Sequence, residues 1–261
     1  MSKMFAEERR KQILEILFEK KRVTIQELAN AIEVSDATLR NDLTTLEKMN
    51  LLKRTHGGAI LEEEVEKEYH FSIRQLKNKD EKYKIAKKAL ELVTDNQCIM
   101  LDASSTALEL ARLLANMKKR LTIVTNGINT AMELNNNPDL TVILIGGIIQ
   151  KSSMALEGNL GVGILEKINI DSFFVSANGF TTANGLQDFS VYEVELKKQM
   201  IKHASKVIAL LDHSKMNKNS IATFASVQDI DVIITNKELE RNQTQELNLY
   251  NKKLTILYPD N

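Results

Sequence analysis

The chain has 261 residues, 43% hydrophobic and 27% charged, an ordinary globular balance with room for one large domain or two smaller ones. Its 35 Lys/Arg and 35 Asp/Glu cancel, which excludes gripping polyanions by bulk attraction but leaves a local basic face open. The lone Cys98 excludes an internal disulfide and a Cys/His zinc cluster; no apolar run nears the ~18 residues of a membrane span, and the N-terminus is charged, so a cytoplasmic protein with no membrane partner is expected.

Residues 7–20 carry Ile13, Leu14 and Leu17 on one side and predict a first helix. Thr24 and Glu27 frame a capping box, with Val23 and Leu28 as its hydrophobic staple, so a second helix is predicted over 24–32. After one or two turn residues comes 34–43, which completes a helix-turn-helix. Ser35 is its natural N-cap, and Leu39, Leu43 and Leu46 form its apolar stripe. Asp36, Ala37, Thr38, Arg40 and Asn41 remain outside. Short polar and cationic side chains of this kind contact base edges and phosphates, and a helix meant for burial would not present them. Asn50 suits a left-handed helix end. Residues 51–59 then read as a strand, a turn at Gly57 and Gly58, and a return strand. That makes a basic wing whose Lys53, Arg54 and His56 reach for phosphates or the minor groove. Residues 1–60 hold 11 Lys/Arg against 9 Asp/Glu, a surplus of 2, so affinity for DNA must come from placed charge and dimerisation.

Residues 61–80 read as a linker. Glu62, Glu63, Glu64 and Glu66 form a solvated acidic run, and Tyr69, Phe71 and Ile73 alternate as a short extended or docking segment. From 81 onward short apolar strands alternate with amphipathic helices. Helices are predicted over 81–93, 106–114, 128–134, 161–168 and 191–204, and strands over 98–101, 121–125, 140–145, 172–176, 207–211, 231–235 and 253–257. The pattern predicts an α/β domain over 81–261 built on a mostly parallel sheet covered on both faces, preceded by the small winged unit at 1–60.

Ligands of open parallel sheets bind beyond the carboxyl ends of the strands. Asp102, Ala103, Ser104, Ser105 and Thr106 sit there at a helix start, where amides, dipole and hydroxyls together suit a phosphate. Thr125, Asn126 and Gly127, then Gly146 and Gly147, Glu157 and Gly158, and Asn178, Gly179 and Phe180 follow later strands. Singly each is a tight turn; repeated at strand ends they point to a pocket. Asp212 is placed to hold sugar hydroxyls and Lys215 to neutralise a phosphate. Lys197 either faces the same cleft or forms a surface pair with Glu193 one turn earlier. His203 and His213 lack companions at ligand spacing, so no metal is expected, and Cys98 reads as a small core residue. No nucleophile elbow, dinucleotide fingerprint or Walker loop is present, and no catalytic residue or cofactor is assigned. The pocket reads as one for recognition, although Asp, Glu and Lys in a cleft leave acid–base chemistry open.

These residues resemble the DeoR family of bacterial transcription regulators. The N-terminal likeness rests on Arg9, Ile13, Leu14, Val34, Ser35, Thr38, Arg40, Asp42, Leu43, Leu46, Leu51, Leu52, Arg54 and the run His56, Gly57, Gly58, Ala59. The C-terminal likeness rests on Leu101, Asp102, Ser105, Thr106, Leu110, Ala111, Val124, Thr125, Asn126, Gly146, Gly147, Gly158, Gly179, Gly185, Leu186, Lys197 and the run Asp212, His213, Ser214, Lys215. The resemblance implies a winged helix-turn-helix joined to an effector domain similar to ribose-5-phosphate isomerase and glucosamine-6-phosphate deaminase folds. It further implies a repressor of sugar uptake or catabolism genes that binds operator DNA and answers to a phosphorylated sugar or related metabolite, and a dimer or tetramer is expected for such a mechanism. The family's phosphate loop falls on 102–106, and its pocket on Thr125, Asn126, Gly146, Gly147, Lys197, Asp212 and Lys215. Three positions depart from the family: Asn41 stands where a second arginine is common, Ser104 where glycine is, and Asn178 where aspartate is. The rival readings are an isomerase-like enzyme with a DNA-binding head, and a regulator that answers to a partner protein.

Overall fold

The computed structural model describes residues 6–49, 51–61, 71–150 and 153–260. The chain divides into two units, Met1–Lys77 and Asn78–Asn261.

In the first unit α1 (Ala6–Lys20), α2 (Ile25–Ile32) and α3 (Asp36–Lys48) are joined by β1 (Arg22–Thr24) and followed by β2 (Lys53–Thr55), β3 (Gly58–Ile60) and α4 (Phe71–Leu76). Local chemistry sets the helix starts. Thr24 Oγ1 accepts from the Glu27 amide at 3.2 Å while the Glu27 carboxylate accepts from the Thr24 amide at 2.7 Å, so two otherwise orphaned donors are satisfied reciprocally. Ser35 caps α3 through the Thr38 amide. Leu39, Leu43 and Leu46 are buried with Ile13, Leu17 and Leu28, one core for the three helices. Asp42, to which the helix pattern gave no role, is buried beside that core and accepts from Arg9 Nε at 2.5 Å and Arg10 Nε at 2.9 Å, tying α3 to α1. We expect Asp42→Ala to cost about 2–3 kcal/mol, as charged hydrogen bonds do when lost from an interior. Denaturant unfolding of the head checks it, and no change in midpoint would reduce the pair to surface charge.

Two sequence expectations change here. The turn of the wing lies at His56 and Gly57, because Thr55 pairs with Gly58, already the first residue of β3. Gly58 is required there for a different reason: a Cβ would stand 1.9 Å from the Val23 carbonyl oxygen, so β1 pairs with β3 only against a glycine. β1 itself was not foreseen, since three residues carry too little alternation and their partner is distant in sequence. The extended reading around Phe71 also fails. Phe71–Leu76 is helical, with Phe71 buried and the Arg74 guanidinium 5.6 Å from its ring centre. Leu61 belongs to the head core, and Leu76 packs against it, so these two residues of the expected linker are part of the head. Asn50, the acidic run and Tyr69 lie outside the described residues.

The second unit contains α5 (Lys79–Leu90), β4 (Cys98–Leu101), α6 (Ser105–Ala115), β5 (Leu121–Thr125), α7 (Ile128–Leu134), β6 (Leu140–Leu144), β7 (Ile148–Gln150), β8 (Ala155–Glu157), β9 (Ser172–Val175), β10 (Gly179–Thr181), β11 (Gly185–Asp188), α8 (Val191–Lys202), β12 (Val207–Leu211), β13 (Ala222–Ala225), β14 (Val232–Thr235), α9 (Arg241–Tyr250) and β15 (Thr255–Leu257). Seven strands form one all-parallel sheet in the order β15-β14-β12-β9-β4-β5-β6. Every residue of β9, β12 and β14 is buried, as continuous apolar runs covered on both faces require. The chain works outward from β4 to β6, returns to β9 on the other side, and works outward again. The order therefore reverses between β4 and β9, the switch point where such sheets open a crevice.

The short antiparallel pieces were not foreseen. β7 and β8 form a hairpin, and β10, β11 and β13 a three-stranded sheet that shares a core with the parallel one through Phe180, Leu186 and Phe224. Gly185 marks that sheet: its φ is +68°, and a Cβ would meet the Ala225 carbonyl oxygen at 2.0 Å. The helix expected at 161–168 is a 3-10 segment, Val162–Lys167. Helix α9 was missed because Leu247 alone of its residues is buried.

Candidate functional site

On the head, Ser35, Asp36, Ala37, Arg40 and Asn41 are exposed along the first turns of α3. Thr38 is half-buried, its hydroxyl 2.9 Å from that of Ser35, so it serves the cap as well as the outer face. The Thr44 and Thr45 hydroxyls donate back to the carbonyls of Arg40 and Asn41. Lys53 and His56 are exposed on the wing. Arg54 turns inward instead: its amide donates to Glu47 Oε1 and its Nη1 to Thr44 Oγ1, both at 2.7 Å. It braces the wing against α3, a link between residues ten apart that no local pattern announces.

In the second unit the buried polar side chains gather at the carboxyl ends of the parallel strands. Asp102, at the end of β4, has no exposed surface. Its carboxylate accepts from the Ser104 amide at 3.2 Å and from the Ser176 amide, beyond β9, at 3.0 Å, so it stitches the switch point closed from inside. Lys197 reaches the same place from α8. Its Nζ lies 3.1 Å from Asp102 Oδ2, 2.7 Å from Asp188 Oδ2 and 3.1 Å from Glu193 Oε1, donates to the Ser176 carbonyl at 3.1 Å, and stands over the Phe224 ring. Burial opposes the ammonium, but the Asp188, Glu193 and Asp102 charges outweigh it and hold its pKa well above that of an ordinary lysine. The Glu193–Lys197 pair is therefore an interior one, and the surface alternative falls: the two residues are 2% and 1% exposed. Asp188 was missed because it lies on β11, whose sequence Gly-Leu-Gln-Asp has no apolar run to mark it as a strand.

The hydroxyl of Ser104 caps α6 through the Ala107 amide at 3.0 Å. That leaves the Ser105 and Thr106 amides at the first two helical positions, where no intrahelical partner exists; both residues are buried. The loop after β5 lies against this one, since a Cβ on Gly127 would come 3.0 Å from Ala103 Cα. Thr125 Oγ1 accepts from the Gly127 amide. Asn126 is fully buried and donates from Nδ2 to the Leu156 carbonyl at 3.0 Å, while its Oδ1 has no hydrogen-bond partner among the described residues. Gly147 packs its backbone on Glu157, a Cβ there standing 2.5 Å from the Glu157 carbonyl oxygen. A Cβ on Gly161 would stand 2.3 Å from the Gly146 carbonyl oxygen, and the buried Glu157 side chain accepts from Ser190 Oγ, the cap of α8, at 3.1 Å. Asn178 departs from the strand ends: its side chain donates to Ser220 Oγ and its amide to the Gln187 carbonyl, inside the antiparallel sheet.

At the end of β12 the buried Asp212 accepts from Asn78 Nδ2 at 2.8 Å and from the Ser214 amide and hydroxyl at 3.0 and 2.5 Å. Burial raises its pKa, but Lys215, Ser214, Lys82 and Asn78 together outweigh that, and the carboxyl sits below its usual range. Lys82 is only 3% exposed; on an amphipathic helix a lysine reads as solvent-facing, and so it was missed.

A family model described as the DeoR C terminal sensor domain matches residues 77–237, and one described as the DeoR-like helix-turn-helix domain matches residues 9–65. The chain belongs to the DeoR family. It is a DNA-binding transcriptional regulator with a C-terminal sensor domain. It is similar to the HTH-type transcriptional regulator GolR of Listeria innocua, 45% identical over 238 residues that cover 91% of this chain and 93% of the relative. It is also similar to the HTH-type transcriptional repressor GlcR of Bacillus subtilis, 33% identical over 234 residues, 90% of each chain. Among solved structures, ribose 5-phosphate isomerase A from Methanocaldococcus jannaschii is 21% identical with a TM-score of 0.41 over 53% of this chain and 55% of that one, too loose a likeness to bear on the site. Among the described residues no helix is long and apolar enough to cross a membrane.

Two departures from the DeoR pattern now have a physical reading. Ser104 has φ −80°, a conformation open to any residue, so the glycine common in the family is not required by the backbone here. Asn178 faces Ser220, so its lost charge is lost from the antiparallel sheet.

Proposed function

We propose that this DeoR-family regulator is a cytoplasmic repressor that two or more copies bring to operator DNA, and that a phosphorylated sugar on the sensor controls it. Two α3 helices would occupy successive major grooves about one helical turn apart. Ser35, Asp36, Ala37, Thr38, Arg40 and Asn41 would meet the bases and nearby phosphates, with Lys53 and His56 on the flanking backbone and Arg54 holding the wing in place. A relative named as a repressor supports the sign of the effect.

The observation that carries the effector reading is the loop 102–106. It lies at the sheet's switch point, its Ser105 and Thr106 amides stand at the start of an 11-residue helix, and the partnerless Oδ1 of buried Asn126 lies on the adjoining loop. Amides and dipole there suit a phosphate, and Asn126, Glu157 and Asp212 supply acceptors for sugar hydroxyls, with Lys215 as a second cation. Gly146 and Gly147 shape the wall. Thr125 and Lys197 act from behind, Thr125 on the Gly127 amide and Lys197 on the carboxylates. An ammonium held in its charged form by three carboxylates is no general base near neutral pH, which supports recognition over turnover.

Thr106→Ala is expected to weaken sugar-phosphate binding about tenfold, the worth of one charged hydrogen bond, while ligand-free operator binding is unchanged. Thermal unfolding against phosphorylated and free sugars reads the first quantity, and operator titration the second. Loss of both together would make Thr106 structural. Conversion of any sugar phosphate in the panel at a metabolic rate would favour the enzyme instead, and a panel that never binds would favour a partner protein.

A further inference from the structure

The first residue of the sensor behaves unlike its neighbours. Asn78 is the N-cap of α5, yet its side chain makes no capping hydrogen bond, and its backbone is left-handed at φ 52° and ψ 42°. An asparagine at a helix start normally accepts from its own first turn. Here the amide instead crosses 134 residues of sequence to donate to Asp212 Oδ1 at 2.8 Å and reaches Ser214 Oγ at 3.3 Å. One turn later Lys82 is buried close enough to Asp212 to stabilise its charge. The N-terminal turn of α5 is thus held to the loop after β12, and the residue before Asn78 is Lys77, the last of the head unit.

We propose that Asn78 is a positioning residue that conveys effector occupancy at Asp212 to the point where the chain leaves the head. This rests on the reading that a sugar phosphate binds at these strand ends. Asp212 Oδ1 already accepts three hydrogen bonds, from Asn78 and from the amide and hydroxyl of Ser214. A sugar hydroxyl that donates to it, or a phosphate that draws Lys215 away from it, changes what Asn78 is bonded to. Loss or gain of that one long-range bond alters the freedom of the turn that begins α5. A ligand controls the head only through such a difference between its bound and free states.

The variant that isolates the side chain is Asn78→Gly, because glycine keeps the left-handed backbone while alanine would strain it. Asn78→Asp is its companion, placing a carboxylate against Asp212. Full-length wild type and both variants are titrated with operator duplex, with and without fructose 1-phosphate, fructose 6-phosphate, glucose 6-phosphate or ribose 5-phosphate, and with inorganic phosphate as control. In the wild type the active sugar phosphate is expected to change operator affinity by about 5–150-fold, the usual range of coupling between sites, and in both variants by less than about twofold. Asn78→Gly should still bind that sugar phosphate with near wild-type affinity, measured calorimetrically, and loss of binding there overturns the proposal by placing Asn78 in the binding site itself. The carboxylate of Asn78→Asp is expected to weaken binding at Asp212, so its coupling is read at saturating sugar phosphate. A variant that binds the sugar phosphate and responds as the wild type does overturns the proposal. A wild type that responds to none of the four sugars overturns the effector reading, and the latch with it.

Discussion

Lys197→Met is expected to destabilise the sensor by about 3–5 kcal/mol, the cost of removing one partner from a buried ionic cluster. The side chain is 1% exposed, and its ammonium faces Asp102, Asp188 and Glu193 within 3.1 Å. Methionine fills a similar volume, so the loss reports charge and not a cavity. Three carboxyl groups then remain in the interior with no cation to offset them, and each must be neutralised or hydrated for the sensor to stay folded. The pH dependence has a definite sign. The folded pKa of Lys197 is raised, so its contribution is complete below the unfolded value near 10.5 and fades only as pH climbs through the higher folded value. The wild-type contribution is therefore constant between pH 6 and pH 9, whereas any of the three carboxyls that folds protonated in the variant makes the deficit larger at pH 9 than at pH 6. Urea unfolding of the sensor at both pH values measures it. A deficit under about 1 kcal/mol, the scale of an exposed pair, would mean that water or an unoccupied pocket already screens the cluster.

Arg40→Ala is expected to weaken operator binding by about 1–3 kcal/mol, the range for one base-reading side chain, with no change in the head's unfolding midpoint. Arg40 is exposed on the second turn of α3. The salt dependence separates base from backbone. A phosphate contact would lower the slope of log affinity against log salt by about one, whereas a base contact would leave the slope intact and relax sequence preference. The measurement is anisotropy titration at several salt concentrations with a duplex selected by the wild-type protein. Unchanged affinity would take Arg40 off the recognition face. Arg54→Ala supplies the contrast, since Arg54 bonds Thr44 and Glu47, and its loss should loosen the wing before it touches DNA affinity.

What could be read from the sequence follows a physical division. The helix caps at Thr24 and Ser35, the stripe Leu39, Leu43 and Leu46, and the buried strands of the parallel sheet are written in patterns a few residues long. The run Asp102 to Thr106 was legible for the same reason: strand, polar loop and capped helix follow one another directly. Asp188, Lys82 and Asn78 were not legible, because each acquires its role from a partner far along the chain. The strands β1, β7, β8, β10, β11 and β13 were not read for the same reason, being held by pairing and not by propensity. Their glycines carried the available signal: Gly58 and Gly185 lie where another backbone comes within about 2 Å of a would-be side chain, and Gly185 also has a left-handed φ.

The head packs around Ile13, Leu28, Leu39 and Leu43, the sensor around Phe173, Ile233, Leu196 and Phe224, and among the described residues these two apolar clusters share no residue. Each can melt as its own cooperative unit, and a single midpoint for the whole protein then averages two equilibria. A metabolite on the sensor would raise one transition and leave the other in place, whereas operator DNA would do the reverse. Calorimetry that resolves both transitions thus reads occupancy of the two sites at once, and any movement of the head's transition by a sensor ligand is the free energy of communication itself.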